Sequence, residues 1–220
     1  MSLAIAIPTH HGIMMSADRR IMTTVYNEKS NDTFLYSDSE RKLFILPCGY
    51  GLSYVGASTI DGVPLSSIMD EYIACFSSTP PEPQSSLLEI ATHIQNLISD
   101  STFSILVMCG YFENEKFVFS INTNVLEVKE HPNLNTLIYS GDSDILSTLI
   151  NNFKYDYQKF NLADAYSFIT LLNKTTASFQ HFQQRAQTVS EDCDVLLITP
   201  KSTKWVTQLC VQTSHEMLHQ

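Results

Sequence analysis

The stretch MSLAIAIPTHHGIMMSADRR, residues 1–20, governs how the rest of the chain is read. Ser2 to Pro8 is apolar and β-rich, Thr9 to Gly12 supplies a turn, and Ile13 to Ala17 resumes the apolar run. The pattern predicts a hairpin of two buried strands that opens one residue after the initiator Met. Removal of Met1 would make Ser2 the terminal residue. A terminal Ser carries a hydroxyl and a free α-amino group, so a nucleophile and a base arrive together.

Working outward, the chain has 220 residues, which fits one large domain or two small ones and is enough to bury a sizeable core. An apolar fraction of 44% and a charged fraction of 16% argue against global disorder. The formal charge of −10 comes without a compensating basic block, which disfavours nucleic-acid binding. No apolar run approaches the roughly 20 residues of a membrane-spanning helix. Leu3 to Ile7 is too short for a signal peptide, has no preceding Lys or Arg, and is stopped by Pro8. Cys48, Cys75, Cys109, Cys193 and Cys210 lack metal-type spacing and read as reduced, buried thiols of a cytoplasmic protein.

Thr23 to Glu40 turns polar and reads as an exposed loop with a strand around Thr33 to Tyr36. A second hairpin follows: KLFILP (42–47), the turn Cys48 to Gly51, then LSYVG (52–56). Ile60 to Phe76 and Leu87 to Ile98 show helical spacing. The link between them, SSTPPEPQSS (77–86), reads as non-helical because of Pro80, Pro81 and Pro83. Strands are predicted at Phe103 to Gly110, Lys116 to Ile121, Val125 to Lys129 and Leu137 to Ser140. Helices follow at Asp144 to Phe153 and, behind an Asn161 cap, Leu162 to Phe182. The end returns to strands at Cys193 to Thr199 and Lys204 to Val211. No repeat or linker divides the chain, so residues 1–220 are expected to form a single domain.

The order is strands, two helices, strands, two helices, strands. An α+β fold satisfies it: two stacked, mainly antiparallel sheets flanked by helix pairs, a four-layer αββα sandwich. Central strands covered on both faces should be almost continuously apolar, as LAIAIP (3–8), GIMMSA (12–17), FSILVMCG (103–110) and DVLLIT (194–199) are.

These residues resemble the proteasome β-subunit and bacterial proteasome-like peptidase group of N-terminal nucleophile (Ntn) hydrolases. Mature chains of that group open with a nucleophile, an apolar strand, a turn ending in Gly, a second apolar strand and Ala-Asp. Here the match is Ser2, LAIAI, His11-Gly12, IMMSA and Ala17-Asp18, without a gap, with Arg20 where the group often has Arg. Lys42 in ERKLFIL matches the group's catalytic Lys, after a longer loop. Val55-Gly56-Ala57 matches the apolar-Gly signature before the first helix, and Ser140-Gly141 a later Ser-Gly. In QTVSEDCDVLLI, Ser190 stands for the group's late Ser. Glu191 and Asp192 replace its glycines, and Gln187 sits where an Asp is expected.

The resemblance implies a catalytic set of Ser2, Asp18, Lys42, Gly56 and Ser190, with no cofactor. The Ser2 hydroxyl would attack, its α-amino group would act as base, Lys42 would favour the alkoxide, Asp18 would hold the ammonium, and the Gly56 N–H would face the oxyanion. Also implied are a peptide or unfolded-protein substrate, a homo-oligomeric ring and an ATP-dependent unfoldase as partner class. Three readings stay open: a peptidase, an inactive structural or binding relative, and a small-amide hydrolase of the same fold. Taken alone, Asp18 and Lys42 read as a surface pair and Gly56 as a turn or close-packing glycine. His215 to His219 spells H-E-x-x-H, the zinc-peptidase helix motif. Zinc needs a third protein ligand, which in those families usually lies downstream, so no metal centre is expected there.

Overall fold

A computed structural model describes residues 2–25, 33–76, 79, 81–97, 103–152, 154–183 and 186–206. The chain runs β1 (Leu3–Thr9), β2 (Gly12–Asp18), β3 (Ile21–Val25), β4 (Thr33–Ser37), β5 (Leu43–Ile45), β6 (Gly51–Gly56), β7 (Thr59–Ile60) and β8 (Val63–Pro64). Helices α1 (Leu65–Ala74) and α2 (Pro83–Leu97) follow, then β9 (Ser104–Phe112), β10 (Glu115–Asn122), β11 (Val128–Glu130) and β12 (Ile138–Gly141). Helix α3 (Asp144–Asn151), a 3-10 turn (Tyr157–Lys159), α4 (Leu162–Phe182), β13 (Cys193–Ile198) and β14 (Thr203–Trp205) complete it.

Two five-stranded antiparallel sheets result, ordered β12-β1-β2-β13-β14 and β11-β10-β9-β6-β5. Strand periodicity sorts their side chains into three apolar layers. In β1, Leu3, Ile5 and Ile7 pack towards α4, while Ala4 and Ala6 face the other sheet. In β9, Leu106 and Met108 pack towards α1 and α2, while Val107 and Cys109 meet the first sheet. Every residue of β1 and β2 is buried. Those two strands therefore have no polar face, and their runs are continuously apolar. The architecture is the expected αββα sandwich.

The β1–β2 register runs from Ala4 opposite Ala17 to Thr9 opposite Gly12. His10 and His11 form the exposed turn, and the Thr9 hydroxyl accepts from the His11 N–H at 3.2 Å. The Asn161 cap is present, with Asp164 completing a capping box.

Several expectations shift. The polar stretch after Thr23 is not simply a loop: Ile21–Val25 pairs with Thr33–Ser37 in a separate hairpin. Helix α1 starts at Leu65 rather than Ile60, because Asp61 and Gly62 adopt φ of 49° and 81° and turn β7 back on β8. Asp-Gly is the signal for such a two-residue turn. Pro83 lies inside α2, not in the link before it; a first-turn proline loses no helical hydrogen bond. Val125 to Glu127 is not strand, and Leu126 takes φ of 56°. Residues 207–220, which hold Cys210 and the His215–His219 motif, lie outside the described residues, as do Met1 and residues 26–32. Among the described residues no helix is long and apolar enough to cross a membrane, and no cluster of three His, Cys, Asp or Glu could hold a metal.

The thiols are not uniformly buried. Cys75 is exposed, Cys48 and Cys193 are half-buried and Cys109 is buried. Burial pushes the Cys109 thiol up and the Cys193 thiol up to about 12. A thiolate is the reactive form. An iodoacetamide pulse at about pH 8 is therefore expected to modify Cys75 and spare Cys109 and Cys193 until denaturant is added. Peptide mass mapping checks this; early labelling of Cys109 would contradict it.

Candidate active site

The site forms where the start of β1 meets the end of β2. Antiparallel register places Asp18 beside the first residues of β1. Its Oδ1 accepts from the Leu3 N–H at 2.9 Å, and its Oδ2 from the N–H groups of Arg20 at 2.9 Å and Ser190 at 3.3 Å. Lys42 directly precedes β5, and its carbonyl accepts from the Tyr54 N–H of β6 at 3.2 Å. That bond extends the β5–β6 ladder by one residue and directs Lys42 across to the other sheet.

Lys42 Nζ donates to Ser2 Oγ at 2.8 Å, to both Asp18 oxygens at 3.1 Å, and to the Arg20 carbonyl at 2.5 Å. Lys42 and Asp18 are both fully buried, and Ser2 is 3% exposed. The surface-pair reading is thereby corrected. Burial pushes the Lys42 ammonium below the ordinary lysine range, and the Asp18 carboxylate opposes that. An amine ringed only by acceptor oxygens is used as a donor.

The Ser2 backbone is clamped from the other side. Its carbonyl accepts from the Asp142 N–H at 2.8 Å. Gly141 makes this possible: at φ of +105°, a Cβ there would lie 1.8 Å from the Ser2 oxygen. The Ser-Gly pair was legible as a signature; its structural purpose, close approach to the Ser2 carbonyl, was not.

Ser190 joins the cluster through backbone and hydroxyl. Its Oγ accepts from the Arg19 N–H at 2.8 Å and donates to the Asp192 carbonyl at 2.7 Å. Asn173 of α4 donates to the Ser190 and Glu191 carbonyls at 2.8 and 3.1 Å. Glu191 and Asp192 keep their side chains exposed, so the bonding their segment supplies is main-chain bonding. Gln187 faces elsewhere. Its Oε1 accepts from Arg20 Nη1 at 3.3 Å, and its amide nitrogen lies 3.0 Å from His181 Nδ1. Arg20 also forms a two-point ion pair with Asp38, 2.7 Å at each contact.

Gly56 closes β6, two residues beyond Tyr54 and so about 7 Å along the strand from the residue paired to Lys42. Its φ is +120°, and a Cβ would lie 2.3 Å from the Phe103 carbonyl oxygen. Both the left-handed conformation and the space require glycine. Ser2, Asp18, Lys42 and Ser190 thus form one hydrogen-bonded cluster, with Gly56 at the end of the neighbouring strand.

Glu40 is a group that motif reading missed. It is 5% exposed, and its Oε1 accepts from the Tyr54 hydroxyl at 2.8 Å and the Ser66 N–H at 3.2 Å. It thereby caps α1, whose Pro64 supplies no side-chain cap, and ties the segment that carries Lys42 to β6. Its only sequence signal is alternation with Lys42 across the half-buried Arg41.

No family model and no curated protein matches the chain. Among solved structures, it is similar to the Gly-1 mutant of Anbu from Hyphomicrobium sp. strain MC1. The two are 13% identical with a TM-score of 0.67 over 100% of this chain and 95% of that one. At that identity the likeness bears on the fold, and it supports the proteasome-like αββα sandwich.

Proposed function

We propose that the protein is a proteasome-like N-terminal nucleophile peptidase that uses Ser2 after removal of Met1. One observation carries the reading: a fully buried Lys42 sits 2.8 Å from Ser2 Oγ and is held by Asp18. In this mechanism the Ser2 α-amine, with an ordinary pKa of about 7.7–8.0, accepts the hydroxyl proton as Oγ attacks the scissile carbonyl. The Lys42 ammonium stabilises the forming alkoxide, and the Gly56 N–H faces the oxyanion. The C–N bond breaks, the leaving amine takes the proton, and an ester remains on Ser2. Water then adds to the acyl carbon, returns a proton to Oγ and releases the acid. Asp18 and Ser190 hold the ammonium and the chain around it. By resemblance the proposal extends to a peptide or unfolded-protein substrate, a homo-oligomeric ring and an ATP-dependent unfoldase.

Intact mass is the test. The native protein should lack Met1 and gain one equivalent of an electrophilic peptide on Ser2, and the Ser2→Ala variant should gain none. Retained Met1 would sink the reading, since an acylated nitrogen is no base. A second reading, a relative that kept the fold without the chemistry, is favoured by Gln187, which is bonded to Arg20 and His181 instead of supporting the terminal amine. A Ser2 freed of Met1 yet inert to electrophiles would select it.

A further inference from the structure

Behind Ser2 lies a second buried polar group that the proposed chemistry does not use. Asp142, Gln180 and Thr188 come from the turn after β12, the last turns of α4 and the segment before Ser190. They are 2%, 0% and 5% exposed. Asp142 Oδ2 accepts from Gln180 Nε2 at 2.8 Å and from the Thr188 hydroxyl at 2.7 Å. Gln180 Oε1 accepts from the Thr188 N–H at 2.8 Å and the Val189 N–H at 3.0 Å. Two backbone donors can meet only the carbonyl end of the amide, so the Gln180 nitrogen must point at Asp142. A buried glutamine is costly unless both ends are matched, and here both are.

The two ends of this network touch the two walls of the site. Asp142 donates its own N–H to the Ser2 carbonyl. The peptide groups that Gln180 holds lead directly into Ser190, whose N–H bonds Asp18 and whose hydroxyl takes the Arg19 N–H. One side chain on α4 therefore spans the gap between the strand that bears Ser2 and the segment that orients the partner of Lys42.

We infer that Asp142, Gln180 and Thr188 form a positioning device that holds the Ser2 carbonyl and the Thr188–Val189 peptide at a set separation, and so holds Ser2 Oγ against Lys42 and Asp18. In its catalytic consequence it rests on the reading of Ser2 as nucleophile; in its structural consequence it does not. The network specifies polarity as well as shape, because an acceptor at Asp142 needs a donor at residue 180.

The test uses full-length protein, hydrogen exchange read by mass spectrometry, and the rate of Ser2 acylation by an electrophilic peptide. Gln180→Glu sets a carboxylate against Asp142. Exchange in segments 138–142 and 189–192 should quicken about tenfold or more, with segment 106–109 of the other sheet unchanged. Adding Asp142→Asn to Gln180→Glu reverses the donor and acceptor and should restore slow exchange. Thr188→Val removes one donor and should loosen the same two segments, which covers the case that Gln180→Glu does not fold. Acylation rates should follow the same order. Unchanged exchange in Gln180→Glu and Thr188→Val, loosening that includes segment 106–109, or failure of the reversed pair to restore protection would overturn the inference. If exchange follows the expected order while the unaltered protein shows no acylation, the nucleophile reading falls and the positioning device stands.

Discussion

Lys42→Met should abolish acylation of Ser2 and lower stability by about 3–5 kcal/mol, the usual cost of stripping one partner from a buried ion pair. Methionine fills much of the same space, so the loss is electrostatic rather than a cavity. Asp18 would keep the N–H groups of Leu3, Arg20 and Ser190 but lose the buried cation that pairs with it. Adding Asp18→Asn should recover part of the stability and none of the acylation, which separates the charge penalty from the chemistry. Urea melts and labelling with an electrophilic peptide check both. A pH effect accompanies the change. Burial sets the folded Lys42 pKa below the ordinary lysine value of about 10.4 that it takes in the unfolded chain. Between the two values the unfolded chain therefore holds more protons than the native one, and Lys42 contributes a rise of stability with pH across that window. In Lys42→Met that contribution should vanish; an unchanged alkaline slope would count against it.

Gly141→Ala should be the most damaging change of a single methyl group. The new Cβ would lie 1.8 Å from the Ser2 oxygen and 2.7 Å from its carbonyl carbon, both backbone atoms that no rotamer can move. Left-handed strain and overpacking together suggest a loss on the order of 3 kcal/mol. The Asp142 N–H bond to Ser2 would break or shift, and acylation should fall with it. Gly62→Ala is the control. Its φ is +81°, but nothing lies within 4 Å of the added Cβ. It should cost about 1 kcal/mol and leave acylation intact. Equal effects in the two variants would mean that the carbonyl clamp is unimportant.

The layers were legible because strand period and burial agree. LAIAIP and GIMMSA could be continuously apolar only if both faces were covered, and both strands are buried throughout. Helix α4 was readable to the residue, since Asn161 and Asp164 form a local cap. Where chain geometry overrode periodicity, the reading slipped. Apolar residues from Ile60 kept a helical rhythm, yet Asp61 and Gly62 bend the backbone first. At the site, Ser2, Asp18 and Lys42 stood out through the resemblance of the first sixty residues to the proteasome-like group, since taken alone Asp18 and Lys42 read as a surface pair. Glu40, Asp142, Gln180 and Thr188 did not, because their partners are backbone groups or residues brought close by the fold alone. Gln180 shows the difficulty best. In sequence it is one polar residue near the end of a long helix, and its four contacts arise from segments that no local pattern connects.

The bond between Ser190 and Asp18 joins residues 172 positions apart, and Lys42 reaches Ser2 across 40. Contacts of such long sequence separation form late, after the chain has met the entropy of closing large loops. β13, more than 170 residues after β2 in sequence, docks beside it and carries the Ser190 segment in with it. The cluster around Ser2 is incomplete until β13 has docked beside β2 and brought the Ser190 segment to Asp18. On the proposed mechanism, a half-folded chain would therefore hold Ser2 without the groups that make it reactive, and reactivity would be the last property the fold acquires.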